Sequence, residues 1–234
     1  MCTVSYIPTA DGFFLTSNRD EKKTRSNAIH PTVYNNGEFK IIYPKDPDGK
    51  GTWIAINTKG IAAVLLNGAF VKYKSKSYYL KSRGLVLMEV INTHSPKDEL
   101  ATMILDGIEP FTLIICSKQS LIEFRWDGVL RHIKNLDPKK AGIWSSATLY
   151  DEHAVLKRTE WFKRWQLQKP SPLEDEVMDF HHFAGEACFE GLIINREKVK
   201  TVSVTCLALK EEKISITYND LQNETIYAIT EVLY

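Results

Sequence analysis

The sequence predicts a layered α+β domain in which helices cover the outer faces of two β-sheets. Three observations lead to this prediction. Strand-like and helix-like segments alternate in blocks, Asn-Gly and Asp-Gly turn signals punctuate the strand blocks, and 234 residues are enough to bury one sizeable core. Because no low-complexity stretch or linker interrupts the chain, we expect a single domain over residues 1–234.

The first strand block fills the N-terminal part of the chain. Asp11-Gly12 is a turn signal between its first two apolar runs, which predicts a hairpin that begins close to the N-terminus. The apolar runs are Thr3–Ile7, Phe13–Ser17, Phe39–Tyr43, Thr52–Asn57 and Ile61–Leu66.

Helical periodicity begins near Ser82 and then alternates with further strands. The predicted helices are Gly84–Val90, Glu99–Leu105, Glu152–Gln166 and Leu173–Ala184, the last with a capping box at Ser171–Glu174. The further predicted strands are Phe111–Cys116, Leu121–Trp126, Val129–Ile133, Val199–Leu209, Lys213–Tyr218 and Ile226–Val232. Polar loops are expected at Pro44–Gly51 and Lys134–Lys140.

Composition narrows the function classes. The formal net charge is only +1, so no overall field would attract nucleic acid. We expect the partner to be a small-molecule ligand or substrate. No apolar run approaches the roughly 20 residues of a transmembrane helix, and the first residues do not resemble a secretory signal. The four cysteines are widely spaced, which is typical of a reducing compartment. We therefore expect a cytoplasmic protein.

Cys2 is the predicted reactive residue. A small residue at position 2 allows removal of Met1, which would leave Cys2 with a free α-amine. A thiol with a pKa near ~8.5 beside an amine with a pKa near ~7.7–8.0 combines a nucleophile and its base on one residue. A cysteine at this position is nevertheless common in chains without such chemistry.

Two polar segments would lie near this residue. The predicted hairpin returns Ser17–Glu21 towards Cys2, where Asp20 would orient the amine and Arg19 would hold an anionic group. A solvated charged turn is the simpler interpretation of that segment. Asn67 ends another apolar strand and would donate to an oxyanion, although Asn-Gly by itself indicates only a turn.

Taken in order, the segments MCT, SNRDE, GTWIAIN, LLNG and SRG resemble the NRDE family, also called the transport and Golgi organisation 2 family. The Asn-Arg-Asp-Glu motif of that family is present as Asn18–Glu21. The resemblance covers most of the chain and is strongest over residues 1–85. It implies a four-layer αββα sandwich of the N-terminal-nucleophile (Ntn) hydrolase type, related to conjugated bile acid hydrolases and penicillin V acylases, which cleave non-peptide amide bonds.

The resemblance also implies roles for individual residues. Cys2 corresponds to the nucleophile, Asp20 to the acid near its amine and Asn67 to an oxyanion-hole residue. Arg19 is a less certain catalytic match, because the acylases place their arginine three residues before the aspartate. The implied substrate-binding residues are Asn18, Glu21 and Arg83.

Two positions depart from the resembled pattern. Ser146 stands where the acylases have a second oxyanion asparagine, and its shorter hydroxyl reaches less far. Val202 stands where the family has an arginine. Ser146 is retained as a candidate catalytic residue, but both departures weaken the expectation of acylase-like turnover. The expected fold is unaffected.

A second function class stays open beside amide hydrolysis. Eukaryotic members of the resembled family are linked to haem or lipid handling, so the fold would serve as a binding or trafficking module. Hydrolysis requires no cofactor; in the alternative, haem would be a bound ligand held by Cys2 or a histidine. No metal is expected, because the spacing of His181, His182 and Cys188 matches no zinc site. Lys72–Arg83, rich in lysine and tyrosine, is either a solvated loop or a cover over the site that binds a phosphate or carboxylate.

Overall fold

Thirteen strands and four helices form within residues 3–185 and 191–234, the part of the chain that the computed structural model describes. The strands are β1 (Thr3–Pro8), β2 (Gly12–Lys22), β3 (Ile29–Asn35), β4 (Lys40–Lys45), β5 (Ile54–Asn57), β6 (Ala62–Asn67), β7 (Phe111–Ser117), β8 (Ser120–Trp126), β9 (Arg131–Leu136), β10 (Gly142–Ser145), β11 (Val199–Lys210), β12 (Lys213–Asp220) and β13 (Thr225–Val232). The helices are α1 (Arg83–Ile91), α2 (Pro96–Thr102), α3 (Glu152–Gln168) and α4 (Glu174–Phe183).

The strands form two antiparallel sheets. A seven-stranded sheet keeps the chain order from β3 to β9, and α1 and α2 lie in the connection between β6 and β7. A six-stranded sheet has the order β10-β1-β2-β11-β12-β13. It therefore joins the two ends of the chain, because the N-terminal hairpin pairs with β11 through β2.

The sheets stack face to face and the helices lie outside them. α1 contacts β5 and β6, whereas α3 contacts β10 and α4 contacts β2 and β11. Apolar side chains of both sheets pack into one core, and a smaller cluster lies between the six-stranded sheet and helices α3 and α4. The four-layer αββα sandwich expected from the sequence is confirmed. Removal of this apolar surface from water is the main force that holds the layers together.

Two strands were not predicted and two local expectations were wrong. The unpredicted strands are β3, an edge strand that is mostly exposed and contains Pro31, and the short edge strand β10. A loop was expected at Lys134–Lys140, but its first three residues belong to β9, which ends at Leu136. The N-cap residue of helix α4 is Leu173, two residues after the predicted Ser171. Because a leucine side chain cannot accept a hydrogen bond, only half of a capping box forms: the backbone N–H of Leu173 donates to Glu176 Oε2 at 2.9 Å.

Within the described residues, no helix is both long enough and apolar enough to span a membrane.

Candidate active site

The candidate site lies where the start of β1 meets its two neighbouring strands. Thr3, the first described residue, pairs with Asn18 on β2 and with Ser145 on β10. Arg19 is therefore the next residue on β2, and Ser146 is the residue that follows β10. Strand β6, which carries Asn67 at its end, contacts both β1 and β2. Cys2, the predicted nucleophile, lies outside the described residues.

A cavity of about 460 Å³ opens at this meeting point. Four of the predicted site residues line it: Arg19, Glu21, Asn67 and Arg83. We call it the polar cavity, because charged and hydroxyl-bearing side chains supply much of its lining. The charged turn considered for the Asn-Arg-Asp-Glu segment is not observed, since the segment is part of β2 and is largely buried.

The alternation of strand β2 divides its motif between two faces of the sheet. Arg19 and Glu21 point towards the polar cavity. Asn18 and Asp20 contact residues near the helical layer, His181 of α4 and Tyr150 just before α3. Four consecutive residues thus serve two separate environments.

Asn67 and Ser146 connect the two sheets at the edge of the cavity. The Ser146 hydroxyl donates to the Asn67 backbone oxygen at 2.8 Å, and it also lies 3.0 Å from Thr148 Oγ1. The hydroxyl proton of Ser146 is therefore committed to a carbonyl and is not available to an oxyanion. In the described part of the chain no group hydrogen-bonds the Asn67 side-chain amide, which lines the cavity as a donor.

Arg19 is almost fully buried, with 3% of its side chain exposed. Its guanidinium lies over the ring of Trp53, 4.3 Å from the ring centroid. The nearest carboxylate oxygens belong to Asp46 and Glu21, at 3.8 and 3.9 Å. These distances permit Coulombic attraction but are too long for hydrogen bonds.

Asp46 is held instead by Arg25, at 2.6 Å. Burial is the largest single influence and opposes the charge on Arg25, but the hydrogen bond to Asp46 and the attraction of Asp46, Glu21 and Asp48 together outweigh it and raise the pKa of Arg25 above its usual value. The ion pair fixes one wall of the polar cavity.

Asp20 occupies a buried pocket on the opposite face of β2. The Tyr150 hydroxyl donates to its Oδ2 at 2.7 Å, and the Thr201 hydroxyl donates to its Oδ1 at 2.5 Å. The ring of Tyr150 in turn lies under the guanidinium of Arg158, 3.6 Å from its centroid. Sequence reasoning missed both hydroxyl donors. Val202, at the position of the expected arginine, is a buried residue beside Thr201.

Asn18 lies in a second buried network, between β2 and α4. Its amide nitrogen donates to the backbone oxygens of His181 and Leu192, at 3.0 and 3.1 Å. Its oxygen therefore accepts from His181 Nδ1, and Ser5 Oγ lies 2.7 Å from the other ring nitrogen. These bonds fix the neutral tautomer, in which Ser5 donates to Nε2. Burial lowers the pKa of His181 to about 3. The network joins a strand to a helix, and its side chains do not line the polar cavity.

Arg83 begins helix α1 and closes the far side of the polar cavity. Its guanidinium donates to the Tyr73 hydroxyl at 3.0 Å and pairs with Glu109 at 3.0 Å. Burial raises the pKa of Tyr73. Because Tyr73, Ser75 and Ser82 also line the cavity, the segment Lys72–Arg83 contributes to the site and is not merely a solvated loop.

A second cavity, of about 790 Å³, lies beside the first. We call it the apolar cavity, because its walls include Leu66, Phe70, Trp144 and Leu149. Thr148 lines both cavities, so the segment that follows Ser146 separates them.

A family model described as Transport and Golgi organisation 2 matches residues 1–204. The chain belongs to the Transport and Golgi organisation 2 family. This identification confirms the resemblance seen in the N-terminal motifs. A comparison with curated proteins gave no match.

Solved structures show the fold that this Transport and Golgi organisation 2 family member shares. A mutant conjugated bile acid hydrolase from Clostridium perfringens is 12% identical with a TM-score of 0.60, over 98% of this chain and 92% of its own. Penicillin V acylase from Agrobacterium tumefaciens is 10% identical with a TM-score of 0.56, over 98% of this chain and 86% of its own. The Caenorhabditis elegans ortholog of N-acylethanolamine-hydrolyzing acid amidase is 11% identical with a TM-score of 0.58, over 88% of this chain and 92% of its own. At these identities the likeness shows the Ntn hydrolase type of fold and nothing finer.

The haem alternative for this Transport and Golgi organisation 2 family member requires an axial ligand beside a large cavity. Within residues 3–185 and 191–234, neither the polar nor the apolar cavity is lined by histidine or cysteine. Both ring nitrogens of His181 are already hydrogen-bonded. Within the described residues these two cavities therefore supply no axial ligand, and Cys2, the other ligand considered, lies outside those residues. The same residues contain no group of three side chains placed to hold a metal ion, and Cys188, like Cys2, lies outside them.

Proposed function

We propose that this chain hydrolyses a linear amide, with Cys2 as the nucleophile after removal of Met1. The observation that carries the proposal is the convergence of Arg19, Asn67 and Ser146 beside Thr3. A residue joined to Thr3 by a peptide bond has its α-carbon within about 3.8 Å of that of Thr3. The peptide bond to Thr3 would therefore place the nucleophile at the edge of a cavity that a substrate can enter.

The proposed reaction has two steps. The α-amine of Cys2 takes the thiol proton, and the sulfur forms a bond to the amide carbonyl carbon. The carbon–nitrogen bond then breaks, and the leaving amine departs with that proton. Water attacks the resulting thioester, the carbon–sulfur bond breaks, and a carboxylic acid is released while the thiol is restored.

The surrounding residues have separable roles in this proposal. The side-chain amide of Asn67 would donate to the oxyanion that develops on the carbonyl oxygen. Ser146 would hold the Asn67 backbone in place through its 2.8 Å hydrogen bond, rather than donate to the oxyanion itself. Asp20 would orient the α-amine, with its own oxygens held by Tyr150 and Thr201. Loss of a single oxyanion donor typically lowers kcat by about 10²–10³-fold.

The first test is the intact mass of untagged protein combined with iodoacetamide labelling. We expect Met1 to be absent and Cys2 to react first. Cys116 and Cys206 are internal controls, because both are buried and burial raises the pKa of each thiol. Retention of Met1, or labelling of Cys2 no faster than of the buried cysteines, would contradict the proposal.

The second test is turnover of a panel of N-acyl amides, followed by release of free amine. We expect Cys2→Ala to abolish turnover and Asn67→Ala to lower kcat by about 10²-fold or more. Asn195→Ala, at an exposed position outside both cavities, is the matched control and should turn over normally. Turnover by the Cys2→Ala protein would disprove the nucleophile.

The apolar cavity favours a second candidate, a carrier that binds an apolar ligand without cleaving it. Its 790 Å³ and its aromatic and aliphatic walls suit such a ligand. The wild-type chain and Cys2→Ala would bind a fluorescent N-acyl amide equally well if the protein is a carrier, and both would release it uncleaved. A haem titration followed by absorbance provides the remaining comparison, and we expect no spectral shift.

A further inference from the structure

The polar cavity contains a buried cation that donates no hydrogen bond to any of the residues that the structure describes. A guanidinium offers five N–H donors, and burial of a charged group without acceptors is costly. Arg19 is 97% buried, yet no group in the described part of the chain accepts a hydrogen bond from its guanidinium, and its ion-pair distances are 3.8 and 3.9 Å.

The acidic neighbours of Arg19 are occupied elsewhere. Asp46 is held by Arg25 at 2.6 Å, and Glu21 Oε1 accepts from the backbone N–H of Lys22 at 2.9 Å. The indole N–H of Trp53, on which Arg19 lies, is also a buried donor for which the described residues offer no acceptor. This corner of the cavity therefore has an excess of donors.

Two other arginines that line the same cavity already have partners. Arg83 donates to Tyr73 and pairs with Glu109, and Arg25 pairs with Asp46 and Asp48. Arg19 differs from both because it faces the cavity and none of its donors is used by residues 3–185 or 191–234. From these observations we infer that Arg19 is the receptor for a carboxylate carried by the ligand of the polar cavity.

The charge of the cavity selects a monoanion. Four basic and three acidic side chains line it, which leaves one net positive charge. A planar carboxylate accepts two parallel hydrogen bonds from a guanidinium and neutralises that charge. A phosphate dianion would leave the cavity negative and would be repelled by Asp46 and Glu21. The basic residues in the lining are Arg19, Lys22, Arg25 and Arg83, and the acidic ones are Glu21, Asp46 and Glu109.

This inference rests on the proposed function where it concerns substrates, and it then names their class. The substrate would be an N-acyl compound that bears one carboxylate, such as an N-acyl amino acid. N-acetylglycine should be preferred to the neutral N-acetylglycinamide by at least about tenfold in kcat/KM, the effect of one charge-assisted hydrogen bond.

The anion site can be tested without turnover by thermal unfolding of the full chain. At about 0.1 M, acetate should raise the Tm of wild type by about 2–4 °C relative to acetamide at matched ionic strength. Arg19→Gln should lose this shift, and Arg19→Lys, which keeps the charge but not the planar fork, should retain only part of it. Arg164→Gln, on the exposed face of α3, is the matched control and should behave as wild type.

Each alternative result decides the question. An acetate shift no larger than that of acetamide, or one that persists in Arg19→Gln, would overturn the inference. So would a larger shift with phosphate than with acetate that depends on Arg19, because the site would then select a dianion. If Arg19→Gln does not fold, wild type and Arg19→Lys still give the comparison.

The Cys2→Ala protein separates this inference from the proposed function. Its acetate shift should equal that of wild type, because binding requires no chemistry. An Arg19-dependent shift in a chain whose Cys2 is inert would support the anion site while the hydrolase proposal fails. Turnover without any acetate shift would support the hydrolase proposal and overturn the anion site.

Discussion

The two faces of strand β2 differ in how completely their polar groups are satisfied. On the face towards the helices, Asn18 and Asp20 use their side-chain oxygens and nitrogens in short buried hydrogen bonds. On the face towards the polar cavity, the contacts of the Arg19 guanidinium with described residues are stacking on Trp53 and two distant ion pairs. The contrast teaches that neighbouring residues of one motif can be divided between holding the fold together and receiving a ligand. Stability should therefore depend on the first face and binding on the second.

The largest expected effect is on the free energy of unfolding of Asn18→Ala. The change would leave two backbone oxygens and the His181 ring N–H without a partner, each at a cost of about 1–3 kcal/mol. We expect a loss of about 3 kcal/mol or more, measured by urea denaturation. Asn195→Ala, which is exposed, should stay within about 0.5 kcal/mol of wild type. An equal loss of unfolding free energy in the two variants would contradict the structural role of the face of β2 that points towards the helices.

Tyr150→Phe should have the next largest effect. It removes one hydroxyl that donates to the buried Asp20 carboxylate, while the ring beneath Arg158 remains. A hydrogen bond to a charged group contributes about 1.5–3 kcal/mol, so denaturation should show a loss of that size. Tyr78→Phe is the control, because Tyr78 is 70% exposed. An unchanged free energy of unfolding would mean that the carboxylate does not depend on Tyr150.

Acidification should weaken the helix-side face through His181. Its pKa is about 3 in the folded chain and near 6.5 when unfolded, so below pH 6.5 the unfolded chain binds a proton that the folded chain does not. This contribution to stability is complete above pH 6.5 and is lost as the pH falls towards 3, at about 1.4 kcal/mol per pH unit. A decrease from pH 7 to pH 5 should thus cost about 2 kcal/mol.

The measurement is denaturation at both pH values for wild type, His181→Gln and His153→Gln. The first variant should lose most of the pH dependence, and the second, at an exposed site on α3, should keep it. If His181→Gln retains the full dependence, other groups are responsible for it.

The smallest expected effect on stability is that of Arg19→Gln. Its guanidinium has no hydrogen bonds to lose within the described residues. Loss of the buried contact with Trp53 should cost about 2 kcal/mol, and removal of a buried charge without hydrogen-bond acceptors should offset much of that cost. Stability should therefore change by about 1 kcal/mol or less while the acetate response disappears. A loss as large as that of Asn18→Ala would show that both faces of β2 are structural.

Much of the fold followed from the sequence because apolar runs and turn signals are local. The N-terminal hairpin, the paired strands around Thr58–Gly60 and all four helices were predicted from patterns of a few residues. β3 escaped because an edge strand needs no apolar face on both sides, and its pattern is mostly polar. The start of α4 was displaced because the Glu176 side chain accepts from the backbone N–H of Leu173, which makes Leu173 and not Ser171 the N-cap residue.

The sequence was sufficient to predict the residues of the candidate site but not their hydrogen-bond partners. Period-two alternation already separates Asn18 and Asp20 from Arg19 and Glu21, so the two faces could have been inferred. The partners could not, because His181 lies 163 residues from Asn18 and Tyr150 lies 130 residues from Asp20. The hydroxyls of Tyr150 and Thr201 carry no local signal that they would meet a carboxylate.

Thr148, which lines both cavities, has a consequence for how this family can diversify. Its side chain lies between the polar cavity and the apolar cavity. Exchange for glycine would open one continuous channel, and exchange for a bulkier side chain would seal the two compartments from each other. Ligand length could therefore evolve at this one position, independently of the four-residue motif that anchors the strand.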